Sequence, residues 1–209
     1  MMTPPKNIKA VIFDCDGVIF DSRRANERFY NHLLAHFSLP PLREDQVDRI
    51  HMFTSKESIE YIFRGSPHVA EAQAYHLRMD YTPFIEDLVL EPGLSDLLAW
   101  LKPRAGLAVA TNRSDTIGRV LDCFDLTGFF QIVVSCLDVK QPKPGPDALL
   151  KILNFFDLEP AEAVYVGDSE VDARASRAAG VPFIAYKNKQ LRADWHVQNH
   201  GEIQTLLCG

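Results

Sequence analysis

Short apolar runs separated by stretches of helical periodicity restrict this chain more than any single residue does. Ala10-Val11-Ile12-Phe13, Leu107-Ala108-Val109-Ala110, Ile132-Val133-Val134 and Ala163-Val164-Tyr165-Val166 are brief, partly β-branched and apolar at every position, and each stops at a polar residue or glycine. That pattern predicts parallel strands buried on both faces. Val181 to Ala185 reads as a fifth strand, with Pro182 near its start, where a strand tolerates it. Between them, Leu94, Leu97, Leu98 and Leu101, then Ile117, Val120, Leu121 and Phe124, then Leu149, Ile152, Leu153 and Phe156 recur at helical spacing. Each stripe can cover one face of a sheet. Strands alternating with helices of this length imply right-handed crossovers and a doubly wound parallel α/β sheet.

The alternation stops between about Ser22 and Leu90. Only helices are expected there: Arg24 to Phe37, Glu44 to Ile50, Thr54 to Phe63 with a Thr54/Glu57 capping box, Val69 to Met79, and Phe84 to Val89. The stretch is far longer than a βα loop, which usually has roughly two to six residues. It is therefore read as an all-helical domain, residues 22–90, inserted into an α/β core made of residues 1–21 and 91–209. Glu91-Pro92-Gly93 marks the return, because proline stops a helix and glycine relaxes the turn.

Composition excludes several classes of function. With 209 residues, 46% of them apolar and 24% charged, the chain can bury a core and is not a disordered tail. No window approaches the roughly 18 apolar residues of a membrane span, and the start MMTPPKNIK lacks a leader's apolar stretch. A cytoplasmic protein without a membrane partner is expected. A net charge of -6 argues against nucleic acid as a partner. Cys15, Cys123, Cys136 and Cys208 form no CxxC pair and read as reduced thiols.

The carboxyl ends of parallel strands are where an open α/β sheet binds its ligand. Those ends carry Asp14-Cys15-Asp16-Gly17, Thr111-Asn112, Lys143 just beyond the third strand, and Gly167-Asp168-Ser169-Glu170-Val171-Asp172. A lone Asp after a strand is most often a helix cap. Four carboxylates on adjacent strand ends, however, repel one another strongly in a poorly solvated cleft unless they share a cation. Oxygen-only ligands select a hard divalent ion, with Mg²⁺ the expected one. Lys140 competes with Lys143 as the cation of the site, and the flanking prolines of Lys143-Pro144-Gly145-Pro146 favour Lys143. Ser169 reads as a helix start and the seven histidines as dispersed, with none assigned to metal.

In order along the chain, Val11-Ile12-Phe13-Asp14-Cys15-Asp16-Gly17-Val18, Ala110-Thr111-Asn112-Arg113, Lys143-Pro144-Gly145-Pro146-Asp147 and Val166-Gly167-Asp168-Ser169 with Asp172 resemble the four motifs of the haloacid dehalogenase superfamily. The insertion stands where the helical type-one cap of its phosphoglycolate phosphatase-like and β-phosphoglucomutase-like members belongs. The resemblance implies a Rossmann-like core and a Mg²⁺-dependent phosphatase that cleaves a small phosphorylated metabolite through an aspartyl phosphate. It makes Asp14 the nucleophile and Asp16 the acid and then the base. Asp14, the Asp16 carbonyl and Asp168 become metal ligands, with Asp172 reaching the metal's waters. Thr111, Asn112 and Lys143 become phosphate-binding, and Lys143 also sets a charge beside Asp14.

Asp16, Asp168 and Asp172 argue against the family's metal-free dehalogenase branch. A phosphomutase usually has a histidine five residues after the Asp that opens the cap; here Asn26 follows Asp21 at that spacing. A mutase remains the alternative, as does a non-catalytic regulatory protein that binds a phosphate ligand. The insertion is expected to close as a lid, hinged near Gly17 and Gly93, over a small substrate. His51, Lys56 and Arg64 are its candidate specificity residues, alongside Arg23-Arg24. The protein is expected to be a monomer or homodimer.

Overall fold

A computed structural model describes residues 5, 7–50 and 52–208. The chain divides into two compact units, Met1–Phe20 with Leu90–Gly209, and Asp21–Val89. Strand β1 (Ala10–Phe13) opens the first unit, and β2 (Phe20–Asp21) leads out of it. Five helices follow, α1 (Arg23–His36), α2 (Glu44–Ile50), α3 (Ser55–Ile62), α4 (Val69–His76) and α5 (Thr82–Ile85), before β3 (Val89–Leu90) leads back. Helices and strands then alternate as α6 (Leu94–Leu101), β4 (Gly106–Ala110), α7 (Thr116–Cys123), β5 (Ile132–Val134), α8 (Asp147–Phe156), β6 (Ala163–Gly167) and α9 (Glu170–Ala179). The chain finishes with β7 (Phe183–Tyr186), β8 (Trp195–Val197) and α10 (His200–Cys208).

The sheet is parallel throughout, in the order β5-β4-β1-β6-β7-β8. Its first strand therefore lies inside, flanked by β4 and β6, with Phe13 in register with both Val109 and Val166. This register brings Asp14, Thr111 and Asp168 to adjacent strand ends. Successive strand residues face opposite sides. Ala10, Ile12, Ala108, Ala110, Val134, Ala163 and Tyr165 share a core with Leu149, Ile152 and Leu153 of α8 and Ala173, Ala175 and Ala179 of α9. Small alanines on the strands let the larger helix residues approach closely, which brings the start of α9 near the end of β1.

The helical unit has its own core. Phe29 of α1 meets Tyr30, His76, Tyr81 and Phe84 with ring centres 5.3 to 5.4 Å apart, and Leu33, Leu34, Val47, Ile50, Ile59 and Phe63 are buried. Thr54 caps α3 with both halves of the expected capping box, to and from Glu57. Among the described residues no helix is long and apolar enough to cross a membrane.

Several elements differ from the sequence expectations. The helix expected from Phe84 to Val89 is a single turn, Thr82–Ile85, begun by Pro83, and Val89–Leu90 instead pairs with β2. The helix expected to reach Met79 ends at His76. Strand β8 carries no strong sequence signal, because it is a three-residue edge strand with His196 exposed at its centre. Leu149 and Leu150 test the register of α8. Leu149→Ala should cost about 2–5 kcal/mol, since its side chain is fully buried. Leu150→Ala, at a position 45% exposed, should change stability by less than about 0.5 kcal/mol. Denaturant midpoints of the two variants check the difference, and equal shifts would refute the assigned face.

Candidate active site

The first carboxylates sit in a tight bend after β1. Asp14 N donates to Val166 O at 2.9 Å, tying the end of β1 to β6. Gly17 N bonds Phe20 O, and Ile19 and Phe20 bond back to Cys15 O, at 2.8 to 3.0 Å. Gly17 adopts φ +81°, and a Cβ there would fall 2.1 Å from Asp168 Oδ2. Glycine is thus required both by the left-handed backbone and by the close approach of Asp168. Gly167 answers the same need beneath Asp172, where a Cβ would lie 2.4 Å from the Asp172 Cβ.

Lys143 joins the acids. Its ammonium is 2.7 Å from Asp14 Oδ1 and 2.6 Å from Asp172 Oδ1, with its side chain 3% exposed. It also donates to Tyr165 Oη at 2.9 Å. Tyr165 donates in turn to Asp172 Oδ1, 2.6 Å away. The other oxygen of Asp172 takes Ser169 N at 3.1 Å and Ser169 Oγ at 2.5 Å, while Ser169 Oγ accepts from Asp172 N, completing a capping box at the start of α9. Lys140, the competing cation, is exposed.

Asp14, Asp168 and Asp172 each offer an oxygen within 4.8 Å of the others, a group able to hold a metal ion. Asp172 already receives four donors, so its first task is to hold Lys143 and cap α9. Among the described residues, Asp14 meets donors only through Oδ1, from Lys143 and from Cys15 N at 2.7 Å, and no side-chain donor reaches the Asp168 carboxylate. These two therefore remain the most available to a cation. Asp16 lies across the cleft, where Arg113 grips it through Nε to Oδ2 at 3.2 Å and Nη2 to Oδ1 at 2.5 Å. Four carboxylates thus face two cations, Lys143 and Arg113. The deficit of two positive charges is what one divalent ion supplies, and hard oxygen donors suit such an ion.

Electrostatics follow the same arrangement. Burial and the charge of Asp172 raise the Asp14 carboxyl well above its ordinary range despite Lys143. Burial and Asp172 push Asp168 up to about 7. Burial also acts to raise Asp172, but Lys143, Ser169 and Tyr165 outweigh it and hold that carboxyl below its usual range. For Lys143, burial opposes the charged form and is overcome by Asp14 and Asp172, which keep the ammonium protonated.

Thr111 follows β4 and is buried, its hydroxyl accepting Arg113 N at 3.0 Å. Asn112 Nδ2 donates to Lys143 O at 2.9 Å, so the loop after β4 grips the loop that carries the lysine. The helical unit holds the remaining candidates. Lys56 in α3 and Arg64 just beyond it are exposed, and His51 lies outside the described residues. Arg23 and Arg24 are taken by ion pairs inside that unit, to Asp48 and Asp87. Arg113, Tyr165 and Asn188, whose Nδ2 donates to Asp168 O at 2.9 Å, carry no role legible in the sequence alone. Arg113 had one signal, its place immediately after Thr111-Asn112. Tyr165 reads in sequence as one more core aromatic, and Asn188 as a loop residue.

Comparison with known proteins bears on this site. Residues 11–186 match the family model described as haloacid dehalogenase-like hydrolase. The chain is 30% identical over 184 residues to phosphoglycolate phosphatase 1 of Pseudomonas aeruginosa, covering 83% of this chain and 67% of that protein. It is 29% identical to the β-phosphoglucomutase of Bacillus subtilis, covering 83% and 81%. The crystal structure of a HAD-superfamily hydrolase of subfamily IA from Geobacter sulfurreducens superposes with a TM-score of 0.80 at 40% identity, covering 98% of this chain and 99% of that one.

The raised carboxyl of Asp168 gives a stability test. With metal removed, the folded protein keeps Asp168 protonated up to about pH 7, whereas the unfolded chain ionises it near about pH 4. Wild type therefore loses stability as pH rises across that window, at no more than about 1.4 kcal/mol per pH unit. Asp168→Asn has no such charge, so its advantage over wild type should grow from pH 4 to 7 and then level off. Thermal melts in chelator between pH 4 and 8 check this. A difference that does not change with pH would show that the fold does not raise the Asp168 carboxyl.

Proposed function

The chain belongs to the haloacid dehalogenase-like hydrolases, and on that premise we propose that it is a Mg²⁺-dependent phosphatase acting on a small phosphomonoester through an aspartyl phosphate on Asp14. The observation that carries this reading is the buried Lys143 ammonium, 2.7 Å from Asp14 Oδ1 and 2.6 Å from Asp172, in a cleft two positive charges short of neutral. Relatives named phosphoglycolate phosphatase support it.

Phosphoryl transfer depends mainly on positioning and on neutralising the equatorial oxygens. Asp14 is suited to attack phosphorus, its carboxylate fixed in place through Oδ1 by Lys143 and Cys15 N. Thr111, Asn112 and Lys143 would hold the phosphate oxygens, the lysine as a point charge. Mg²⁺, when held by Asp14, the Asp16 carbonyl and Asp168, would offset the repulsion between carboxylate and phosphate and orient the latter. Asp16 would give its proton to the departing alkoxide as the aspartyl phosphate forms. It would then take a proton from the water that attacks phosphorus, releasing inorganic phosphate and restoring Asp14. The buried thiol of Cys15 is kept protonated by burial and by Asp16 and takes no part.

We assign substrate discrimination to the helical domain, residues 22–90, with His51, Lys56 and Arg64 as candidates, because the residues of the chemical step all come from the α/β unit. Mutase activity is the second reading, supported by the relative from Bacillus subtilis. At the position discussed above, Asn26 pairs with Tyr81 Oη at 3.4 Å and offers no acid or base.

Asp14→Asn should lower hydrolysis of 4-nitrophenyl phosphate at least about a hundredfold, in keeping with loss of a nucleophile, while inorganic phosphate still binds. A hydroxylamine-labile phosphoryl group should be trapped on wild type and not on the variant. Chelation should abolish turnover and Mg²⁺ restore it. Full activity in excess chelator, or a trapped phosphoryl group on the variant, would overturn the mechanism.

A further inference from the structure

Arg113 is the second buried cation of the cleft, and the phosphatase mechanism above leaves it without a task. Its side chain is 6% exposed and that of Asp16 15%, so water screens their ion pair weakly. The contact is fork to fork, with Nε on one oxygen of Asp16 and Nη2 on the other. Such a pair fixes the plane of a carboxylate as well as its place. A buried ion pair is a poor source of net stability because desolvation opposes it, so its contribution here is best sought in geometry.

Both ends are seated. Asp16 is bridged through its backbone to Phe20, which leaves its two side-chain torsions as the main freedom of the carboxylate. On the other side, Arg113 N donates to Thr111 Oγ1 at 3.0 Å and Arg113 O accepts Cys136 N at 3.3 Å. Three consecutive residues, Thr111 to Arg113, therefore join the hydroxyl assigned to the phosphate with the guanidinium that grips the acid. We propose that Arg113 is a positioning residue, fixing the place and plane of the Asp16 carboxylate beside the phosphate site, a proposal that rests on the acid and base role given to Asp16 above.

The expected signature depends on the leaving group. General-acid assistance matters most when the departing oxygen is a poor leaving group. Arg113→Gln should lower kcat/KM for phenyl phosphate about tenfold more than for 4-nitrophenyl phosphate. Competitive inhibition by inorganic phosphate should stay within about threefold of wild type, since Thr111, Asn112 and Lys143 remain. Asp16→Asn should show the same leaving-group pattern, and adding Arg113→Gln to it should cost less than about threefold more, as expected of two residues acting as one unit. Arg113→Lys keeps the charge and loses the fork, so it should fall between glutamine and wild type, and it serves as the test if the glutamine variant does not fold.

Equal losses on both aryl phosphates, no loss, weakened phosphate inhibition in step with activity, or independent losses in the double variant would each overturn the proposal. So would a lysine variant with the wild-type substrate ratio, because charge alone would then suffice. If Asp16→Asn itself shows no leaving-group dependence, the acid role fails and the proposal falls with it. A normal Asp16→Asn pattern with a flat Arg113→Gln response removes only the proposal.

Discussion

Everything at the candidate site depends on burying one ammonium between two carboxylates. Lys143 touches Asp14 and Asp172 at 2.7 and 2.6 Å and is almost wholly removed from water. Taking either partner away would strand a buried charge, a loss of roughly 3–5 kcal/mol in such pairs. The lysine lies in a loop with no regular structure of its own, so other elements must hold it. Tyr165 supports it from the sheet, Asn112 holds its carbonyl, and Asp172 faces it from the first turn of α9. A loop, two strands and a helix terminus thus converge on one side chain.

Close approach makes that convergence possible. Gly17 and Gly167 stand where a methyl group would collide with Asp168 and Asp172. Alanines of β1, β4 and β6 let α8 and α9 pack tightly on one face of the sheet. The tyrosine that penetrates this apolar face keeps its hydroxyl satisfied by Asp172, Lys143 and Ala110 O, as a buried phenol must. Asp172 shows how one residue serves two purposes: it closes the capping box that starts α9 and neutralises the lysine.

Paired acids without a cation are a liability to the folded state. Burial and like charge raise Asp14 and Asp168 together, so an arrangement able to hold a divalent ion weakens the protein without one. Arg113 relieves the repulsion on one side by taking Asp16. The helical unit follows a different logic: its charges are mostly exposed and paired internally, Arg24 and Arg28 both with Asp87, around an aromatic core centred on Phe29.

The sheet was legible in the sequence because a parallel strand buried on both faces has a distinctive composition. The runs beginning at Ala10, Ile132 and Ala163 mark strands to within a residue. Helices with wide apolar stripes, α6, α7 and α8, were equally plain, and the motif acids could be placed because strand ends follow directly from strands. Short elements were not legible. Strands β3 and β8 exist through pairing with partners distant in sequence, and the Phe84 to Val89 pattern suits a helix until β2 is beside it. What the sequence by itself determined is therefore the order of strands and helices and the chemical types at their ends. The tertiary structure brings Lys143, which the sequence already favoured over Lys140, to the acids, and it alone decided that Asp172 is occupied by four donors and that Arg113 grips Asp16. Those outcomes depend on distances between residues up to 129 positions apart, as Lys143 and Asp14 are, set by packing and charge after the chain has closed, which no local pattern encodes.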